Sequence, residues 1–90
     1  MSATIEVTRA ADAFDVRVRD GKSETRHRVT LSPQDHARLA PNATPEAMIE
    51  AAFHFLLARE PKESILARFD VSVISRYFPD FEGRLADYLR

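Results

Sequence analysis

The chain contains no cysteine and only two glycines. Without cysteine, disulfide bonds and thiolate metal sites are both excluded. The sequence also has no glycine-rich phosphate loop, no Gly-x-Ser-x-Gly nucleophile elbow and no His-Glu-x-x-His zinc motif. These absences predict a protein that is not an enzyme and that has no catalytic residue, no cofactor and no bound metal.

Neither sign of charge is in excess, because 13 Lys and Arg residues stand against 14 Asp and Glu residues. This balance argues against a protein that coats nucleic acid or membrane by bulk charge, although it is compatible with a local basic patch. Long apolar runs are missing too: the densest, residues 51–58, is too short to cross a bilayer and contains His54. The first six residues lack the features of a secretion signal, so we expect a cytoplasmic protein that does not bind membranes.

Residues 3 to 31 show the alternation that is typical of half-buried strands. The apolar residues that share a face are Ile5 and Val7, then Phe14, Val16 and Val18, then Val29 and Leu31. The first link is residues 9–12, and the second contains Asp20-Gly21, a hairpin signal in which glycine supplies the positive φ. The pattern predicts strands at about 3–9, 13–19 and 24–31 in an antiparallel meander.

From residue 32 onward the apolar period becomes helical. Four prolines stand where a helix would begin, a position at which the missing N–H costs nothing: Pro33, Pro45, Pro61 and Pro79. Ser32 and Thr44 are suitable N-caps for the first two of these helices. The second helix, at about 45–59, has one narrow polar stripe formed by Glu46, Glu50 and His54. It is therefore predicted to be the central helix, with most of its surface buried.

Three further helical segments are expected after residue 60. Residues 62–69 would turn Ile65, Leu66 and Phe69 inward, and Asp70 or Ser72 would cap a turn or two that carries Val71, Ile74, Tyr77 and Phe78. Residues 79–90 would present the stripe Phe81, Leu85, Tyr88 and Leu89. Together the patterns predict one α+β domain over residues 1–90: a three-stranded antiparallel β-meander (1–31), then a helical half (32–90) of four or five short helices packed on one sheet face.

The polar face of the predicted meander is the first candidate functional site. If the valines of the second strand point inward, a set of arginines and one threonine points outward: Arg17, Arg19, Arg26, Arg28 and Thr30. Such a face could contact nucleic-acid phosphates or an acidic partner. The alternative is a solvated face with cross-strand ion pairs, since acidic residues lie on the same strands: Glu6, Asp15 and Glu24. We favour this second interpretation.

The three histidines give little sign of a metal or acid–base site. Glu50 and His54 are four residues apart on a helix, but no second His or Cys stands at ligand spacing. We interpret them as part of a solvated stripe. His27 is predicted on the same face as Val29, which makes it a candidate half-buried core histidine with a modest chance of sensing pH.

One stretch resembles the ribbon-helix-helix family of DNA-binding proteins. It comprises Arg28-Val29-Thr30-Leu31-Ser32-Pro33, a short helix, and the segment from Thr44 to Phe53, within residues 27–59. In that family, strands from two chains pair into a ribbon that enters the major groove. The resemblance implies a homodimer in which Arg26, Arg28 and Thr30 face DNA. It also implies that Thr44 opens a helix whose N-terminal amides hold a phosphate.

A second stretch, Leu66 to Phe78, resembles the turn and recognition helix of helix-turn-helix regulators, but we interpret it as core packing. Two functions remain. The favoured one is a non-enzymatic interaction or regulatory module, expected to bind itself as a homodimer or to bind another protein, because the helical half has more apolar side chains than one sheet face can cover. The alternative is a DNA-binding transcriptional regulator of ribbon-helix-helix type.

Overall fold

The protein is described by a computed structural model over residues 3–89. Met1 and Ser2, in the region expected to lack a secretion signal, and Arg90, at the end of the last expected helix, lie outside the described residues. Three antiparallel strands form a meander: β1 (Thr4–Ala10), β2 (Ala13–Asp20) and β3 (Ser23–Thr30). Their bounds lie within one residue of those predicted, which confirms the strands inferred from the alternation of apolar and polar residues.

In each hairpin the turn has two residues, and the first of them has a positive φ. Gly21 has φ 63° between the paired residues Asp20 and Ser23, as the Asp-Gly signal predicts. The first link is shorter than expected, because Ala10 pairs with Ala13 and leaves only Ala11 and Asp12 in the turn. Ala11 adopts φ 55° there, a conformation that its Cβ disfavours.

The sheet has a fourth strand that the sequence analysis did not predict. Residues Arg68–Asp70 form β4, which pairs parallel with β3 along Arg28–Thr30. The sheet is therefore mixed and four-stranded in the order β1-β2-β3-β4, rather than a three-stranded meander alone. The expected helix over 62–69 is wrong: only a 3₁₀ turn at Lys62–Ser64 forms, and the chain then extends into β4.

Two helices of the second half follow the prediction. The first, α1 (Pro33–Leu39), begins at Ser32, whose Oγ accepts a hydrogen bond from the Asp35 amide. The second, α2 (Pro45–Leu57), begins at Thr44, whose Oγ1 accepts from the Ala47 amide. Both caps satisfy amides that have no partner inside the helix.

The remaining helical segments are single turns. Asp70 caps a 3₁₀ turn at Val71–Val73 by accepting from the Ser72 amide. That turn leads into α3 (Ile74–Tyr77), and α4 (Phe81–Arg84) continues as a 3₁₀ turn at Leu85–Asp87. The last segment is thus shorter and less regular than the expected helix over 79–90.

The core lies between one face of the sheet and α2. The fully buried residues of α2 are Met48, Ile49, Ala51, Ala52, Phe53, Phe55 and Leu56. They pack with Val16, Val18 and Val29 from the sheet and with Phe81 and Leu85 from the C-terminal turns. The central position predicted for α2 is therefore confirmed. Across residues 3–89, no helix has the length and apolar character needed to cross a membrane.

Candidate functional site

The side of the sheet turned away from the helices, here called the outer sheet face, carries all five residues that the sequence singled out. Arg26, Arg28 and Thr30 lie on β3 with exposed side chains. Arg17 and Arg19 lie on β2, where Arg17 is directly opposite Glu6 on one side and Arg26 on the other. The strand register thus places these residues together on one face of the sheet.

Acidic side chains on the same face occupy most of these guanidinium groups. Glu6 lies 3.4 Å from Arg17 and 3.3 Å from Arg19, while Asp15 lies 3.0 Å from Arg28. Glu24 contacts three arginines at 3.0 to 3.5 Å: Arg17, Arg19 and Arg26. The hydrogen bond from Arg26, followed by the charges of Arg17 and Arg19, lowers the pKa of the Glu24 carboxyl. The face is therefore a cross-strand network of both charges.

One arginine joins the outer sheet face only because β4 exists. Parallel pairing places Arg68 beside Arg28, at the border of a shallow depression of about 510 Å³. Within residues 3–89, Arg68 forms no salt bridge of 4.0 Å or less. Thr30, by contrast, donates a hydrogen bond of 2.6 Å from Oγ1 to Asp70 on β4, so its hydroxyl already has a partner within the chain.

The strand that corresponds to the ribbon of the ribbon-helix-helix resemblance lies inside the sheet. β3 has β2 on one side and β4 on the other, and the Arg28 amide donates to the Ala67 carbonyl at 2.7 Å. Along Arg28–Thr30, the edge that a partner's ribbon strand would need is therefore occupied. Thr44 is the N-cap of α2, and its hydroxyl accepts a hydrogen bond from within its own helix.

Each histidine has a partner within the domain. Nε2 of His54 lies 3.5 Å from Glu50 on the same helix, and Nε2 of His36 lies 2.6 Å from the Ala43 carbonyl. His27 is 5% exposed and contacts the Thr25 hydroxyl and the Leu66 carbonyl through its two ring nitrogens. Across the described part of the chain, no group of three or more His, Cys, Asp or Glu side chains is arranged to hold a metal ion.

A second candidate site lies beside β4, away from the outer sheet face. The end of α2 and the chain from residue 64 to 78 enclose a groove of about 270 Å³, here called the C-terminal groove. Its walls are mainly apolar and include Leu56, Ile65, Phe69, Ile74 and Phe78, and Glu60 is the acidic residue among the described lining residues. Leu66 and Tyr77 also line it, and these two are the large hydrophobic side chains left exposed among residues 3–89, by 50% and 69%.

The groove leaves little trace in the sequence, because the apolar pattern predicts Leu66 and Tyr77 in the core. Leu66 was expected on the inner side of a helix, but that segment is extended and turns the leucine outward. Tyr77 shares α3 with the buried Ile74, yet its own side chain is mostly exposed. The available signal was the alternation Arg68-Phe69-Asp70, a strand-like pattern that is only three residues long.

Comparison with known proteins finds no matching family model, no matching curated protein and no matching solved structure.

Proposed function

We propose that this chain is a non-enzymatic interaction module that docks a segment of another protein in the C-terminal groove. The observation that carries the proposal is the exposure of Leu66 and Tyr77 in the lining of an apolar groove. Leucine and tyrosine side chains that flank a concave apolar surface are a usual basis for protein contacts, because binding removes both from water.

The rest of the helical half supports this choice of surface. Most of the apolar side chains that appeared to be in excess are buried within one chain, among them Ile49, Phe53, Phe55, Phe81 and Leu85. The apolar side chains that one chain leaves exposed are thus concentrated at the C-terminal groove instead of being spread over the helices. A partner that covers the groove would complete the apolar cluster to which Phe69 and Phe78 already belong as partly buried members.

Selection from a library of random peptides displayed on phage, with the immobilised full chain as bait, tests the proposal. We expect enriched peptides to bind the unmodified chain and to lose binding to a Leu66→Ser/Tyr77→Ser double variant. A Thr8→Ser/Lys22→Ser variant alters two exposed positions on the meander and serves as the matched control. Both variants should keep the unfolding transition of the parent, since substitutions of exposed side chains usually change stability by no more than about 0.5 kcal/mol.

The groove proposal fails if no peptide is enriched, or if the enriched peptides bind the Leu66→Ser/Tyr77→Ser variant as well as they bind the parent. The DNA-binding alternative uses the outer sheet face and is tested separately, as is the predicted homodimer.

A further inference from the structure

Glu60 gives the C-terminal groove a chemical preference. It lies just beyond the end of α2, where its amide donates to the Leu56 carbonyl at 2.9 Å, and its half-buried side chain lines the groove beside apolar residues. Burial in these surroundings raises the pKa of its carboxyl. A carboxylate placed against apolar walls is poorly hydrated, so it gains more from an added cation than a fully exposed one.

Glu60 differs from most acidic residues within 3–89 in having no partner for its side chain. Most of them contact an arginine, a lysine, a histidine or a hydroxyl group, as Glu63 does with Lys62 at 2.8 Å. Within residues 3–89, the acidic side chains that have no salt bridge and accept no hydrogen bond are those of Asp12, Asp20 and Glu60. Asp12 and Asp20 are exposed hairpin residues in contact with water, whereas Glu60 is partly withdrawn from it.

The nearest cations in the sequence are held elsewhere. The Arg59 guanidinium lies 3.6 Å from the centre of the Phe55 ring and forms a 2.8 Å ion pair with Asp80. Lys62 is buried and pairs with Glu63. Neither contacts the Glu60 carboxylate, and no other cation of residues 3–89 forms a salt bridge with it, so this carboxylate is open to a cation that a partner supplies.

From this arrangement we infer that the groove binds a segment in which a Lys or Arg side chain stands next to apolar side chains. The apolar groups would cover Phe69 and Phe78, the cation would pair with Glu60, and the Tyr77 ring at the rim would offer its face to the same cation. The groove volume of about 270 Å³ lies below the usual range for small-molecule sites, which favours one or two anchoring side chains of a protein segment over a free ligand.

This inference rests on the proposed docking function and specifies its partner. In the phage selection it predicts that enriched peptides share a Lys or Arg flanked by aliphatic or aromatic residues. Replacing that basic residue by Gln in a synthetic peptide should weaken binding about ten-fold, the size expected for a close charge pair at an interface. Glu60→Gln in the protein should weaken it by the same factor, and the two changes together should cost no more than either alone.

The matched control is Glu63→Gln, which removes a carboxylate three residues away that is not part of the groove lining. It should leave peptide affinity unchanged. Enriched peptides that lack a basic residue, or that bind the Glu60→Gln variant at full strength, would overturn the inference while leaving the groove as the docking site. Peptides that bind the Leu66→Ser/Tyr77→Ser variant as well as they bind the parent would overturn the proposed function itself, so the two failures are distinguishable.

Discussion

Nδ1 of His27 lies 2.7 Å from the carbonyl oxygen of Leu66, and this contact ties the meander to the segment that leads into β4. A carbonyl oxygen only accepts, so Nδ1 carries the proton. In the neutral ring Nε2 then accepts from the Thr25 hydroxyl, 2.8 Å away. The ring also packs at 5.3 Å from Phe53, which places it between sheet and central helix.

His27→Phe should therefore destabilise the fold although it keeps an aromatic ring in the core. The substitution leaves the Leu66 carbonyl and the Thr25 hydroxyl without their partner, at a cost of about 2 to 3 kcal/mol. Urea unfolding followed by circular dichroism measures this loss, with His54→Phe on the more exposed stripe as the control. A loss of less than about 0.5 kcal/mol for His27→Phe would contradict the role assigned to the two hydrogen bonds.

The two hairpin turns should respond in opposite directions to exchange of glycine and alanine. Ala11→Gly removes a Cβ from a residue at φ 55° and should raise the free energy of unfolding by up to about 1 kcal/mol. Gly21→Ala adds a Cβ at φ 63° and should lower it by about 1 to 2 kcal/mol. A Cβ at Gly21 meets no atom within 4 Å, so backbone strain alone causes the loss. Equal signs for the two variants would refute this explanation.

Lowering the pH should change the contributions of Glu82 and Glu60 to the free energy of unfolding in opposite directions. Hydrogen bonds from the Arg38 guanidinium at 2.8 and 3.1 Å lower the pKa of Glu82 below its ordinary value of 4.5. The resulting stabilisation is complete above pH 4.5 and is lost as the pH falls through the lower folded value. Glu82→Gln should remove this part of the acid sensitivity, with an effect below about 1 kcal/mol because solvent screens the exposed pair.

Burial raises the pKa of Glu60, so its charged form opposes folding. This cost develops as the pH rises through 4.5 and is complete above the raised folded value. Glu60→Gln should therefore stabilise the chain at pH 7 and have little effect at pH 3. Denaturant unfolding of both variants over this range measures the two trends, and the same sign of change at pH 7 would contradict the assignment.

The predicted homodimer has a candidate contact in β1. This strand pairs with β2 only, within residues 3–89, and its inward side chains Ile5 and Val7 remain half-buried. Two copies could extend the sheet by antiparallel pairing of β1 about a two-fold axis at Val7, which brings Glu6 opposite Thr8 of the second copy. Pairing about Glu6 would instead bring two carboxylates together.

Light scattering on a sizing column should then give twice the chain mass. Val7→Lys should reduce it to one chain by bringing two like charges to the axis, whereas Leu66→Ser/Tyr77→Ser should leave the dimer intact. A strict monomer at high concentration would rule out the homodimer. Loss of the dimer in the Leu66→Ser/Tyr77→Ser variant would show that the contact does not lie in β1.

The outer sheet face separates the proposed function from the DNA-binding alternative. We expect no retention of duplex DNA at micromolar protein, even at low salt, because Glu6, Asp15 and Glu24 already neutralise most of its arginines. A gel-retardation series in rising salt measures this. Retention that falls steeply with salt and is lost in Arg26→Ala/Arg28→Ala would establish the alternative instead.

Local patterns determined the meander, both major helix starts and the central position of α2. Alternating side chains define strands without help from the rest of the chain when one face must be buried, as at Val16 and Val18. Ser32 and Thr44 each cap the helix that begins directly after them, so a few consecutive residues are enough to predict where that helix starts. The gathering of the arginines on one face follows from the same alternation.

After α2, the turn capped by Asp70 was predicted from local sequence, but only the tertiary structure decided β4 and the C-terminal groove. Three residues are too few for a periodic signal, so β4 forms because β3 offers an open edge and His27 holds the Leu66 carbonyl. That pairing turns Leu66 outward and adds Arg68 to the outer sheet face, and Glu60 lies in a groove whose lining, within residues 3–89, includes no cation. These features depend on contacts between residues some forty positions apart, which local propensity does not encode.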